Sequence, residues 1–485
     1  MKLWLRQSLH NSWLIAGFCS GVILAVFISP LLPVGVFSSI SWLLVGTIIA
    51  VGSLFLGKRW VLVFIILAGC LVGGWRAQTL LADLRPYESL AGGSYVIRGT
   101  VSEDADIGRG SELVLRLSDV SIVDHDLPGM VWVSVSGASD IRRSDIVTVE
   151  GKISEGFGGF AASVYRAELL KLERPQPGDV ALQVRDGFAE EVRQVVDEPQ
   201  ASLGIGYLVG QRRALPPELD EALKIAGLTH IVVASGYNLT ILVRLARRLF
   251  VKVSKYMAML SASSMVVAFI AVTGMSPSMS RAGLIAGLSL LAWYYGRRFH
   301  PLVLLPFAAA ITLLVNPSYG WNNLGWQLSF AAFAGVLILA PLLQAYFFGD
   351  EKPGVIRQIL GETVSAQLMT LPILIAAFGQ FSNVALVANL LVLPLVPLAM
   401  LLTFTAGLAA WMAGPVAEIV AAPANWLLSY MVEVAMRLAA WPEAQASFQA
   451  SGWLVIAIGY GLLIGLISYL AWRTRSSLRE FNIVE

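Results

Sequence analysis

Long apolar runs, separated by short polar segments, dominate this 485-residue sequence. Three runs of spanning or near-spanning length come first, at residues 13–28, 36–56 and 60–74. A second group of nine follows at residues 228–243, 257–273, 280–296, 302–315, 324–346, 356–378, 384–411, 416–440 and 453–472. This pattern predicts a polytopic α-helical membrane protein.

Residues between the two groups have a different pattern. Five β-branched runs with period-two alternation occupy residues 94–102, 112–123, 129–136, 145–154 and 162–172, with Gly, Asp and Ser clusters between them. Five short strands in this space predict a small closed β-barrel, for which the five-stranded OB-fold is the expected form. An amphipathic helix is predicted at residues 186–198, and we expect it on the membrane surface.

The expected fold class is therefore a polytopic α-helical membrane protein with an inserted, extracytoplasmic, OB-fold-like β-barrel. We predict N-terminal transmembrane helices at residues 1–80 and the barrel at 81–175. Amphipathic or collar helices at 176–227 come next, at the mouth of a transmembrane bundle at 228–475, and a tail at 476–485 ends the chain.

Basic residues predict the orientation in the membrane. Lys and Arg cluster after the first, third, fifth and last spans of the second group, and the positive-inside rule places these loops in the cytoplasm. With Lys2 and Arg6 also inside, both termini are expected to be cytoplasmic and the barrel extracytoplasmic.

Composition supports membrane insertion and argues against metal chemistry. Hydrophobic residues make up 56% of the chain and charged residues 14%, far less charge than a soluble protein carries. Residues 76–200 have a net charge of −8 and the rest of the chain has +10. Two cysteines lie in apolar runs and four histidines are scattered, so we expect no disulfide, metal or cofactor.

Several polar residues interrupt the apolar runs and are candidates for a transport pathway. Polar groups at membrane depth must find partners or line a wet cavity. The alternative is that each residue only makes hydrogen bonds between helices. The candidates are His230, Ser235, Gly236, Tyr237, Asn238, Arg281, Gln327, Ser329, Gln367, Asn383 and Asn389.

The barrel carries residues suited to nucleic acid, because OB-folds hold single strands through basic grooves and aromatic platforms. The net negative charge of this region instead favours a structural or protein-docking role, since phosphate binding depends on positive charge. The candidate nucleic-acid contacts are Arg98, Arg116, Trp132, Arg142, Arg143, Lys152 and Tyr165.

Four segments, taken in order, resemble the ComEC family of competence proteins, which are membrane channels for DNA. They read LVGQRRALPPELDEALKIAGLTHIVVASGYNLTIL, TGMSPSMSRAGLIAGLSLLAWYYGRR, NPSYGWNNLGWQLSFAAFAGVL and SAQLMTLPILIAAFGQFSNVALVANLLVLPLVP. The three leading spans and the barrel also match this family. The sequence departs from the family in two ways. Where the family segment usually reads SGLH or SGxH, Ser235-Gly236 is here followed by Tyr237-Asn238. The C-terminal metallo-β-lactamase-like domain of many members is also missing from this sequence.

The resemblance implies import of single-stranded DNA through the cytoplasmic membrane during natural transformation, without enzymatic activity. The sequence has no Walker motif, so we expect a separate cytoplasmic ATPase or helicase, and any nuclease is also expected on another chain. The acidic barrel is expected to dock a basic, DNA-bearing receptor on the outer side.

Two other functions are consistent with the residues. Ser235 as nucleophile and His230 as base would make an intramembrane hydrolase, although the two lie five positions apart, about 140° around a continuous helix. Polar stripes also suit a carrier for an envelope glycan or lipid.

Overall fold

The computed structural model describes residues 11–56, 60–107, 112–123, 125–137, 140–211, 215–232, 236–274, 276–296, 300–349, 351, 353–413, 416–448 and 451–474. The chain divides into two compact units. The first comprises Met1–Val180 with Leu302–Gln327, and the second comprises Ala181–Pro301 with Leu328–Glu485. The division separates residues 302–327 from the rest of the predicted bundle.

The first unit contains the N-terminal helices α1 (Asn11–Ile28), α2 (Ile40–Leu56), α3 (Val61–Leu84) and α4 (Pro86–Leu90). It also contains most of α12 (Pro301–Val315), α13 (Ser318–Asn322) and the first residues of α14 (Leu324–Ala334). Glycines bring α1 and α3 into backbone contact, since a Cβ on Gly69 would clash with the carbonyl oxygen of Phe18. Small residues allow this close approach of membrane helices.

The barrel follows α4 in the same unit. Its strands are β1 (Ser94–Val101), β2 (Asp106–Ile107), β3 (Leu113–Ile122), β4 (His125–Leu127), β5 (Met130–Val135), β6 (Ile146–Glu155) and β7 (Phe160–Glu173). Five of the described strands close in the cyclic order β1–β6–β7–β5–β3–β1, and β5 and β7 form its parallel pair. Alternate residues of these strands, such as Leu113, Leu115 and Leu117, fill the core.

This arrangement confirms the predicted five-stranded, OB-like barrel. The five long strands agree with the predicted ranges to within about two residues at each end. The short strands β2 and β4, which pair with β3 outside the closed ring, were not predicted.

The second unit is helical. Its helices are α5 (Val180–Val195), α6 (Gln200–Val209), α7 (Pro217–Ile225), α8 (Thr229–Val232), α9 (Gly236–Phe250), α10 (Lys255–Thr273), α11 (Pro277–Tyr294), most of α14, α15 (Ala340–Phe348), α16 (Val355–Phe378), α17 (Ala385–Val392), α18 (Val396–Ala413), α19 (Ala417–Ala439) and α20 (Gly452–Thr474). Strands β8 (Gln380–Ser382) and β9 (Gln445–Ser447) pair between the loops that precede α17 and α20.

Among the described residues, eight helices are long and apolar enough to cross a membrane. They span Ser12–Leu31, Val61–Leu90, Lys255–Thr273, Leu324–Phe348, Ile356–Phe378, Ala385–Met412, Ala417–Ala439 and Gly452–Thr474. Ile40–Ser53 and Leu302–Val315 are shorter apolar helices. The predicted spans at 228–243 and 280–296 fall outside this set, because α9 has only 15 residues and α11, with 18, carries more polar residues.

Part of the predicted collar, residues 176–227, is buried in the hydrophobic core of the second unit. Eight consecutive residues of α6, from Ala201 to Leu208, are buried, and α6 packs against α18 and α19. The apolar side of α5 is also covered, with the ring of Phe188 stacked 6.0 Å from that of Phe404 on α18. The amphipathic helix predicted for the membrane surface thus packs its apolar side on the bundle.

Candidate functional site

Helix α9 presents two distinct sides. Leu239, Val243 and Ala246 are buried in a cluster with α10 and α11. Polar residues at positions 237, 240, 244 and 248 (Tyr, Thr, Arg and Arg) are exposed, and spacings of three and four residues place them on one side of the helix. A polar, accessible stripe on a helix among membrane spans is typical of a water-lined path.

Arg281, the fifth residue of α11, lies beside the start of α9. Its Nε donates to the Ser329 hydroxyl oxygen at 2.7 Å, and its guanidinium carbon lies 5.7 and 5.6 Å from the ring centroids of Phe330 and Phe333. The Ser278 hydroxyl oxygen is 3.3 Å from that of Ser329. These contacts orient the cation without neutralising it, and no carboxylate in the described chain forms an ion pair with Arg281.

The close approach of α9 to Arg281 depends on Gly236. A Cβ at this position would lie 3.2 Å from the Ala282 Cβ and 3.3 Å from a terminal nitrogen of Arg281. Ser235 lies outside the described residues. His230, on α8, is exposed, and its Nδ1 is 3.1 Å from the carbonyl oxygen of Gly227, so its Nε2 faces away from that bond.

Asn238 belongs to the core instead of the exposed side of α9. Its side chain has no solvent exposure, and its Nδ2 donates to the carbonyl oxygens of Tyr207 at 3.0 Å and Ile231 at 3.2 Å. Asn238 therefore ties α9 to α6 and α8, which is the interhelical hydrogen bonding expected of polar residues in membranes. Tyr237, its neighbour, is 40% exposed and donates to the carbonyl oxygen of Leu393 at 3.3 Å.

The remaining candidates of the second unit lie on α16, on α17 and before α17. Asn389 is 3% exposed, and its buried Oδ1 has no hydrogen-bond partner among the described residues. Asn383 is exposed and donates to the carbonyl oxygen of Glu443 at 2.8 Å, which fixes the loop beside β8. Gln367 on α16 is half-buried. Of these three residues, Gln367 and Asn383 are accessible and Asn389 belongs to the core.

Gln327 is part of the first unit. Its Nε2 donates to the carbonyl oxygen of Gly320 at 2.7 Å and so holds the end of α13 against the start of α14. Trp326 beside it donates from Nε1 to the Thr312 hydroxyl oxygen at 2.9 Å. Both bonds fix the segment between α12 and α14.

Ion pairs neutralise most of the barrel's candidate cations. Arg98 pairs with Glu173 at 2.9 Å, Arg116 with Glu103 at 3.0 Å and Asp106 at 2.6 Å, Arg142 with Asp140 at 3.0 Å, and Arg143 with Asp179 at 2.7 Å. The hydrogen bond from Arg142 lowers the pKa of the Asp140 carboxyl group, so this pair stays charged. Lys152 is exposed. These pairings leave the paired arginines less suited to binding phosphate.

An aromatic cluster does occur on the barrel. The Trp132 ring centroid lies 5.5 Å from Phe157 and 5.0 Å from Tyr165, and Phe157 lies 5.5 Å from Phe160. Phe157 and Tyr165 are 45% and 54% exposed. Of the two features predicted for nucleic-acid binding, basic residues and aromatic residues, the structure groups the aromatic ones into one cluster.

A polar network joins α5, α6 and α19, and none of its residues was a predicted site residue. The Arg193 Nε lies 3.2 Å from Glu198, whose other oxygen accepts from the Ser202 backbone N–H at 3.1 Å, and Asp197 accepts from Asn425 at 2.6 Å. A cavity of about 550 Å³ is bordered by Arg193, Asp197, Glu198, Glu418 and Asn425. The sequence feature that could have indicated this network is the highly charged helix α5 directly before α6, an apolar helix of ten residues that is too short to cross a membrane.

A family model described as "Competence protein" matches residues 207–473, more than half of the chain. The chain belongs to the competence protein family. Membership supports a role in DNA uptake for competence. The matched region contains every membrane candidate named above, from His230 to Asn389, and excludes the barrel.

Two relatives of this competence family protein align over parts of their length. "ComE operon protein 3" of Bacillus subtilis (strain 168) is 28% identical over 202 residues, which are 40% of this chain and 25% of the relative. An "Uncharacterized protein" of Aquifex aeolicus (strain VF5) is 28% identical over 162 residues, 32% of this chain and 38% of the relative. The chain thus matches less than half the length of either. No solved structure matches the chain.

Proposed function

We propose that this chain forms a cytoplasmic-membrane channel that imports single-stranded DNA during natural transformation. The observation that carries the proposal is the polar side of α9, which runs from Tyr237 to Arg248. It begins beside Arg281, a cation that has no ion pair among the described residues. DNA is a polyanion, so a path for it needs accessible polar groups and a few cations that attract phosphate without trapping it.

The side chains around Arg281 suit transient contact with phosphate. Two aromatic faces and one hydroxyl hold the guanidinium, and each cation–π contact contributes about 0.5–2 kcal/mol. A carboxylate partner would compete with phosphate for the same donors. Its absence from the described surroundings leaves the remaining N–H groups of Arg281 available to a passing anion.

The proposal includes sidedness and partners. Both termini lie in the cytoplasm and the barrel outside, in line with the positive-inside distribution of Lys and Arg. The acidic barrel meets a basic, DNA-bearing receptor on the outer side. A cytoplasmic ATPase or helicase and a nuclease act from other chains.

Entry of fluorescent DNA into the cytoplasm tests this proposal. Cells lacking the gene are complemented with the unaltered protein, with Arg281→Glu or with Arg437→Glu, a control at an exposed residue that pairs with Glu433. We expect no entry after deletion or with Arg281→Glu, and normal entry with the unaltered protein and the control. Normal entry without the gene would contradict the proposal and favour an envelope glycan or lipid as the cargo.

A further inference from the structure

A group of basic residues lies at the end of α9 and the start of α10, opposite the end that carries Arg281. Arg247 and Lys255 lie over the Trp293 ring of α11, 5.2 and 5.5 Å from its centroid, and Lys255 is also 5.5 Å from the centroid of Tyr294. We call this group the basic–aromatic patch, which consists of Arg244, Arg247, Arg248, Lys252, Lys255, Trp293 and Tyr294.

The patch and the Arg281 site mark opposite ends of one pair of helices. Gly236 meets Arg281 where α9 and α11 begin, and Arg247 meets Trp293 near the points where they end, so the two helices run parallel. Twelve residues separate Arg281 from Trp293, which corresponds to about 18 Å along α11. A polymer that follows the polar side of α9 from Arg281 would reach the patch next.

The cations of the patch are not neutralised. None of the five forms an ion pair with a carboxylate in the described chain, whereas Arg357, which also covers a ring, is 3.3 Å from Glu351. All but the half-buried Arg247 are exposed. These arginines and lysines lie within twelve positions of one another, have no acidic partner in the described chain, and include two, Arg247 and Lys255, that lie over aromatic rings. Such a group is the electrostatic footprint expected of a phosphate-binding surface.

Cations at a membrane boundary also bind anionic lipid, but two features of α9 favour a polymer in transit. Arg244 and Arg248 continue the polar stripe that contains Tyr237 and Thr240. Exposed Leu245 and Leu249 form a separate stripe along the helix, and their apolar side chains suit contact with lipid. The cations thus continue the proposed path.

We propose that the basic–aromatic patch is a binding site for the phosphate backbone of single-stranded DNA as it leaves the channel. The inference rests on the proposed direction of transport. Binding by several exposed cations releases counterions, so affinity falls with salt by a slope of about 0.7 for each phosphate contact on a single strand.

The test uses the full chain in nanodiscs of phosphatidylcholine, a lipid without net charge, and a fluorescent oligothymidylate as probe. Its affinity is measured at increasing potassium chloride concentration. We expect the combined Arg248→Gln, Lys252→Gln and Lys255→Gln variant to lower the slope of log affinity against log salt by about 2, for three lost contacts. The matched control Arg357→Gln should leave the slope unchanged.

Two results would overturn the inference. One is an unaltered slope in the triple variant. The other is loss of bound phosphatidylglycerol, measured by native mass spectrometry in nanodiscs containing that lipid, with DNA binding unchanged; the patch would then be a lipid site. If the triple variant does not fold, Lys252→Gln alone should lower the slope by about 0.7. Either result would reject the patch as a DNA-binding site, while the deletion test of DNA entry would still test the proposed function independently.

Discussion

Replacing Arg281 by glutamine should slow DNA entry by a predictable factor. Glutamine removes the charge and keeps a hydrogen-bonding side chain. A hydrogen bond to a charged group contributes about 1.5–3 kcal/mol, so losing one such contact with phosphate, at about 2 kcal/mol, lowers the rate roughly 30-fold. The assay is the rate at which fluorescent DNA reaches the cytoplasm, divided by the amount of the protein in the membrane.

Ser329 should act only through Arg281. Its hydroxyl oxygen accepts from the Arg281 Nε, so Ser329→Ala removes one positioning bond and should cost about 1 kcal/mol, or a 5-fold slower entry. Ser329→Thr keeps the hydroxyl and should retain most of the activity. Combined with Arg281→Gln, Ser329→Ala should add almost nothing, because the guanidinium that it positions is absent.

A matched control for this pair is Ser280→Ala. Ser280 neighbours Arg281 on α11, but its hydroxyl donates to the carbonyl oxygen of Ser276 at 3.1 Å within the same helix. We expect normal entry with this variant. The reasoning is refuted if Ser329→Ala slows entry by a further 5-fold in the Arg281→Gln background, or if Arg281→Gln alone leaves the rate unchanged.

Three further predictions concern packing and the barrel. Gly69→Leu should lower the thermal stability of the purified protein, because the added side chain meets the α1 backbone, while Gly52→Leu, where a Cβ meets nothing within 4 Å, should not. Asn238→Ala should lower the free energy of unfolding by about 2 kcal/mol, since it frees two backbone acceptors, whereas Thr240→Val leaves the melting temperature unaltered. Arg116→Gln should leave the salt dependence of DNA binding unchanged, because Glu103 and Asp106 already neutralise Arg116.

Local patterns explain why the barrel was predictable. Period-two alternation is a property of each strand by itself, and it gave the five long strands of the ring. The strands β2 and β4, with two and three residues, are too short to establish such a pattern. The sequence also could not reveal which carboxylates neutralise the arginines, because Arg98 and Glu173 are 75 positions apart.

Membrane candidates were harder to assign, because hydropathy marks a polar residue without telling which side of its helix is covered. Tyr237 and Asn238 are adjacent in sequence, yet one is accessible and the other is buried among α6 and α8. Thr240 and Arg244, which continue the accessible side of α9, were not among the candidates. Arg281 was identified because a charged residue within an apolar run is unusual in a membrane span.

Photo-crosslinking during uptake tests most directly whether the polar side of α9 borders the DNA path. Benzoylphenylalanine replaces Thr240 on that side or, as a matched control, Leu260 on α10, an apolar residue that is 50% exposed. Cells taking up labelled DNA are irradiated and the protein is examined for attached label. The channel account predicts adducts at position 240 and none at 260; adducts at 260, or no adducts at 240, would contradict it.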